Sequence, residues 1–131
     1  MTTGRERLLL VDKSAWVRGP DVADVDGGEL CLCAVTRLEI LFSARSQADY
    51  AALRDELSLF RDLAMNAETF AAAEAGQREL AASGRHRIPL PDLLIAACAQ
   101  QHAADVLHVD RHFDALSEVF AFNAVRLASS S

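Results

Sequence analysis

Leu8-Leu9-Leu10-Val11-Asp12 is a run of four apolar residues stopped by a carboxylate, and Val106-Leu107-His108-Val109-Asp110 later stops the same way. Neither run alternates apolar with polar residues, so each predicts a short strand covered on both faces, as in a parallel sheet between helices. A third strand is expected within Phe120 to Leu127.

The segments between these strands carry helical spacing. Val35, Leu38, Leu41 and Phe42 predict a helix over Ala34 to Ala44, and Leu53, Leu57, Phe60 and Leu63 predict another over Gln47 to Ala64. A further helix is expected over Ala67 to Ala82, stopped by Ser83-Gly84. Arg18 to Glu29, bracketed by Gly19-Pro20 and Gly27-Gly28, reads as a loop with room for one helical turn. Arg85 to Leu90 reads as a loop because Pro89 and Pro91 oppose helix in the residues before them. Pro91 then suits the first position of a helix running to His102, which puts Asp92 second, and another helical pattern follows from Arg111 to Val119. Strands separated by helices predict an α/β fold, a short and mostly parallel sheet flanked by helices in three layers. The 131 residues fit one domain, with 1–6 and 128–131 expected to fray.

Composition narrows the function. Apolar residues make up 51% of the chain and charged residues 24%, the balance of a globular protein. No apolar run is long enough to span a bilayer and no leader pattern opens the chain, so it is expected to be neither secreted nor membrane-bound. Cys31, Cys33 and Cys98 are an odd, badly spaced set for disulfides or zinc and are read as buried thiols in a reducing cytoplasm. The net charge of -6 argues against a protein that holds nucleic acid through a broad basic surface. It leaves a nuclease open, because divalent cations reverse the charge of an acidic site locally.

Most of the 19 acids fall on polar faces or in loops. Asp12, Glu39, Asp92 and Asp110 instead sit on otherwise apolar elements, and a buried carboxylate costs several kcal/mol unless a charge or cation compensates it. Asp12 and Asp110 lie at strand carboxyl ends, where open α/β sheets bind ligands. If those strands are neighbours, a spacing of about 4.8 Å brings the two acids close enough to share a cation. Asp92, in a first helical turn, would aim at the same place. Ser14 and Thr36, two and three residues from an acid, are candidate polar supports for the carboxylates. An all-oxygen set suits Mg²⁺ or Mn²⁺ and therefore phosphate chemistry. Neither a G-x-x-x-x-G-K-[ST] loop nor a G-x-G-x-x-G turn is present, and Ser14 has no histidine placed by motif to activate it.

The chain resembles the PIN-domain family, and within it the VapC-type toxins of bacterial toxin-antitoxin pairs. The resemblance runs from about Leu8 to Leu127 and rests on Leu10-Val11-Asp12-Lys13-Ser14-Ala15-Trp16, Val35-Thr36-Arg37-Leu38-Glu39-Ile40-Leu41, Pro91-Asp92-Leu93-Leu94-Ile95-Ala96-Ala97 and Leu107-His108-Val109-Asp110-Arg111-His112-Phe113 in that order. It implies that Asp12, Glu39, Asp92 and Asp110 bind Mg²⁺ or Mn²⁺, supported by Ser14 and Thr36, to cut an RNA phosphodiester with metal-activated water. It also implies a homodimer and a cognate antitoxin that places an Arg among the carboxylates. Arg85 and Arg87, before Asp92, and Arg111 and His112, beside Asp110, are candidate RNA contacts. Two positions depart from the family pattern: Lys13 replaces the usual Thr, and His112 stands where many relatives carry an Asp. Spacing leaves open whether Asp114 takes that Asp's place. Alternatives are a non-catalytic PIN-like module that binds a basic segment, and a nuclease acting on DNA. A phosphatase built on Asp12 is disfavoured because Asp12-Lys13-Ser14 lacks D-x-D.

Overall fold

The computed structural model describes residues 7–17, 28–109 and 111–126. The expected frayed ends, residues 18–27 of the loop expected from Arg18 to Glu29, and Asp110 itself lie outside the described residues.

Strand β1 (Arg7–Val11) is followed by the single-turn helix α1 (Lys13–Trp16), then β2 (Gly28–Cys33), α2 (Ala34–Phe42) and α3 (Gln47–Leu57). The order continues with β3 (Arg61–Leu63), α4 (Ala67–Ala81), α5 (Leu90–His102), β4 (Asp105–His108), α6 (His112–Leu116) and β5 (Ala124–Arg126). The described strands form one sheet in the order β3-β2-β1-β4-β5, and every pairing is parallel. β1 is central, which is why its side chains are apolar on both faces.

Successive strand residues point to opposite faces, and each face has its own core. Leu10, Cys31, Cys33 and Val106 pack with Ala73 and Leu80 of α4, with Leu93, Ile95 and Ala96 of α5, and with Phe113 of α6. Val11, Leu32 and Leu107 pack on the other face with Ala15 of α1, Ile40 and Leu41 of α2, and Leu57 of α3. Each Val, Leu, Ile or Phe side chain among them contributes roughly 1.5–3 kcal/mol when wholly buried. The result is the expected three-layer arrangement.

Several boundaries differ from expectation. Glu29 belongs to a strand, β2, and not to a loop, because Cys31 and Cys33 supply apolar side chains to one face while Leu32 supplies the other. The helix expected to reach Ala64 ends at Leu57, and Arg61–Leu63 forms β3 at the sheet edge, where Arg61 and Asp62 remain exposed and only Leu63 is buried. Helix α5 opens at Leu90 with Pro91 second, so Asp92 is the third residue and still lies in the first turn. The helix-like pattern read to Val119 is helix only over α6, and the last strand is confined to Ala124–Arg126. On α2, Thr36, Ile40 and Leu41 face inward, whereas Leu38 and Phe42 are 64% and 86% exposed. The three cysteines are buried free thiols, as expected.

Candidate functional site

The chain steps from β1 outward to β2 and β3 on one side and later to β4 and β5 on the other, so the order reverses between β1 and β4. In such sheets a crevice opens at the carboxyl ends of the two diverging strands. Val11 pairs with Leu107, and the Asp12 amide donates to the Leu107 carbonyl at 3.0 Å, which fixes Asp12 at that crevice.

Asp12 is only 4% exposed. Its Oδ2 accepts from the Ser14 amide at 2.9 Å and from the Ser14 hydroxyl at 2.6 Å, making Asp12 the N-cap of α1. The Ser14 hydroxyl in turn accepts from the Val109 amide at 2.9 Å. One side chain thus ties the end of β1 to the segment leaving β4.

Glu39 and Asp92 arrive from opposite layers. Helices α2 and α5 approach each other, and Asp12, Lys13, Ser14, Glu39, Pro89, Asp92 and His112 line one cleft of about 370 Å³. Asp92 is 8% exposed. Its Oδ2 lies 2.9 Å from Nδ1 of His112. Burial pushes the Glu39 carboxyl above the ordinary glutamate range, Asp12 pushes it further, and Lys13 draws it back. A carboxylate that is hard to ionise beside two more in one cleft calls for positive charge.

The donor set is three carboxylates with a hydroxyl behind one of them, which are hard oxygen ligands suited to Mg²⁺ or Mn²⁺. Among the described residues no three His, Cys, Asp or Glu side chains converge into a ready-made cation cage. The fit to a cation therefore rests on charge and ligand chemistry and not on a closed coordination shell. Cys31 and Cys98 are poor alternatives: burial pushes the Cys31 thiol up to about 11, and the hydrogen bond to Cys33 with burial pushes Cys98 higher still.

Of the residues singled out in the sequence, Asp12, Ser14, Glu39, Asp92 and His112 meet in this cleft, and Asp110 lies outside the described residues. Thr36 is elsewhere: its Oγ1 accepts from the Cys33 amide at 2.8 Å and donates to the Cys33 carbonyl at 2.9 Å, securing the start of α2. Arg85 bonds Glu118 at 3.0 Å, and Arg85, Arg87 and Arg111 are not among the described residues lining the cleft. Asp114 does not take the Asp position either, since it lies 3.4 Å from Arg126 and 3.8 Å from Nε2 of the buried His108. Sequence reading passed over Lys13 as a cleft residue, although its place beside Asp12 was the available signal. Leu38 and Phe42, read from the sequence only for their helical spacing, border a second groove of about 470 Å³ with Lys13, Val35, Glu39 and Pro91.

A parallel sheet whose switch point carries acids from three elements defines a class of small α/β proteins with an acidic cleft. The PIN domain family profile matches residues 9–119. Ribonuclease VapC18 of Mycobacterium tuberculosis is 40% identical over 122 residues, covering 86% of this chain and 89% of that protein. Ribonuclease VapC17 of the same organism is 38% identical over 116 residues, covering 84% and 87%. This chain belongs to the PIN-domain family, among its VapC-like members. The toxin-antitoxin protein VapBC-5 from Mycobacterium tuberculosis has the same fold, with a TM-score of 0.75 at 24% identity over 92% of this chain and 98% of that one. So does the DNA-bound VapBC of Salmonella typhimurium, with a TM-score of 0.73 at 14% identity over 93% and 99%.

Proposed function

We propose that this chain is an endoribonuclease that cuts RNA with the help of Mg²⁺ or Mn²⁺ and acts as the toxin of a toxin-antitoxin pair. The observation that carries the reading is the meeting of Asp12, Glu39 and Asp92, each from a different element, in one cleft at the sheet's switch point. Asp110, two residues beyond the end of β4, is the fourth ligand of this proposal. The RNA substrate follows from the relatives at 38–40% identity, which are ribonucleases by name. When bound, the cation supplies charge neutralisation at the phosphate and a more acidic water.

The chain's own residues do the rest. Ser14 holds Asp12 by two hydrogen bonds so that its carboxylate enters the cleft in one orientation. Lys13, on the rim of both grooves, is the cationic side chain placed to meet a phosphate. Arg85, Arg87 and Arg111 lie outside the cleft lining, so as RNA contacts they would touch only the flanking strand.

The groove beside the cleft supports an antitoxin partner. Leu38 and Phe42, 64% and 86% exposed, line that groove, and large apolar side chains left in the open favour an interaction surface. An apolar partner segment on Leu38 and Phe42 would run past Glu39 and Lys13 into the acids, where an Arg would find carboxylates. We take the active form to be a homodimer, as the resemblance implies, working in the reducing cytoplasm that the free cysteines suit. No helix among the described residues is long and apolar enough to cross a membrane.

The test is cleavage of RNA by the purified chain with Mg²⁺, with Mn²⁺ and in chelator, beside Asp12→Asn and Asp92→Asn. Cleavage by the parent with a cation, abolished in both folded variants, is the expected result. Equal cleavage by parent and variants would sink the proposal, cleavage of DNA alone would replace the substrate, and antitoxin binding without any cleavage would leave a binding module.

A further inference from the structure

His112 is the first residue of α6 and is twenty positions from Asp92, yet its Nδ1 lies 2.9 Å from Asp92 Oδ2 across the cleft. Both side chains line the cleft wall, the imidazole 42% exposed and the carboxylate 12%. The other acid on α6, Asp114, is turned to Arg126 and His108. An imidazole therefore stands where an acid could have stood, and it contacts one of the three carboxylates.

The chemistry of that contact differs in kind from what a carboxylate would make. An ionised carboxylate only accepts, so with Asp92 ionised the 2.9 Å contact is a hydrogen bond in which Nδ1 is the donor. A second acid there would repel Asp92, whereas the imidazole donates to it. The donation helps to orient a carboxylate that shares its cleft with Asp12 and Glu39, of like charge. It also ties the start of α6 to the start of α5.

We propose that His112 is a positioning residue which, by donating from Nδ1 to Oδ2 of Asp92, sets the orientation in which Asp92 meets the divalent cation. This rests on the cation site proposed above. The exchange has a direction: the cleft loses one negative charge relative to an acid at this place and gains a donor to Asp92. Hydrogen bonds behind ligating side chains typically carry a factor of about 10–100 in metal affinity.

The test uses the full chain and Mn²⁺, titrated by the loss of the free-ion electron paramagnetic resonance signal at about pH 8, above the ordinary imidazole range. His112→Ala is expected to weaken Mn²⁺ binding by about 10–100-fold. His112→Asn, whose side-chain amide donates from nearly the place of Nδ1, should recover most of the loss. RNA cleavage by His112→Ala should recover in part as Mn²⁺ is raised, a rescue that damaged folding would not allow. Nitrogen NMR of the metal-free chain should find the proton of His112 on Nδ1. A parent that binds Mn²⁺ with His112→Ala equal to it, a folded His112→Asn that recovers nothing, or an unprotonated Nδ1 each overturns this inference alone. A parent that binds no Mn²⁺ overturns the cation site and this inference with it.

Discussion

Ser14→Ala removes one oxygen that serves two elements. The hydroxyl donates to the Asp12 carboxylate at 2.6 Å and accepts from the Val109 amide at 2.9 Å. A hydrogen bond to a charged group contributes about 1.5–3 kcal/mol and an ordinary one about 0.5–1.5 kcal/mol. The two share an atom and do not add fully, and Val109 is only half-buried, so water replaces part of its loss. A destabilisation of about 2–3 kcal/mol follows, which for a chain of this length lowers Tm by roughly 6–15 °C. Ser14→Thr, which keeps the hydroxyl, should melt near the parent. Calorimetry in chelator separates this effect from any cation. If Ser14→Ala melts within about 2 °C of the parent, the hydroxyl is not the tie between β1 and β4, and the argument for a held Asp12 fails.

Glu39→Gln should stabilise the metal-free chain at neutral pH. Because the folded-state pKa of Glu39 is raised by burial and then by Asp12, the folded form binds its proton more tightly than the unfolded form. The stability that this protonation gives is therefore complete below the ordinary glutamate pKa of about 4.3 and is lost as pH rises through the raised value. The gain of the variant over the parent should grow over that window and stay below about 1 kcal/mol, since Glu39 keeps contact with screening solvent. Chemical denaturation as a function of pH measures it, and a gain that shrinks with rising pH refutes the sign. Gly76→Ala tests the core beneath α4, where a new Cβ would overlap the ring of Phe120, itself 4% exposed. Overpacking of about 1–3 kcal/mol should outweigh the roughly 1 kcal/mol of helix propensity gained, and a variant that melts above the parent would show the ring yielding freely.

What the sequence disclosed follows from where burial is complete. β1 and β4 were legible because the interior of a strand covered on both faces is apolar, and the same contrast exposed Asp12, Glu39 and Asp92. β2 was hidden because its buried half is built of cysteines and its start is Gly28-Glu29, which reads as a turn. β3 was hidden because an edge strand of three residues can be Arg-Asp-Leu and still pair with Cys31, Leu32 and Cys33. Thr36 was ambiguous because a residue three before Glu39 is also three after Cys33, and the second relation won through two backbone hydrogen bonds. Leu38 and Phe42 fit a helical stripe equally well as core or as groove, and only the position of the neighbouring layer decides between them.

That last ambiguity bears on how the cleft is built. A helix facing one core needs a single apolar stripe, and α2 has that in Ile40 and Leu41. Leu38 and Phe42 add apolar surface that folding does not use, set directly against Glu39, whose own ionisation the fold opposes. Apolar exposure and unneutralised acid are each unfavourable in the isolated chain, and both are relieved by ligands of definite chemistry, an apolar partner face for one and positive charge for the other. Their adjacency on one helix puts the groove beside the acids. If the proposed function holds, a cation and a basic side chain of a partner seated on Leu38 and Phe42 would compete for the same carboxylates.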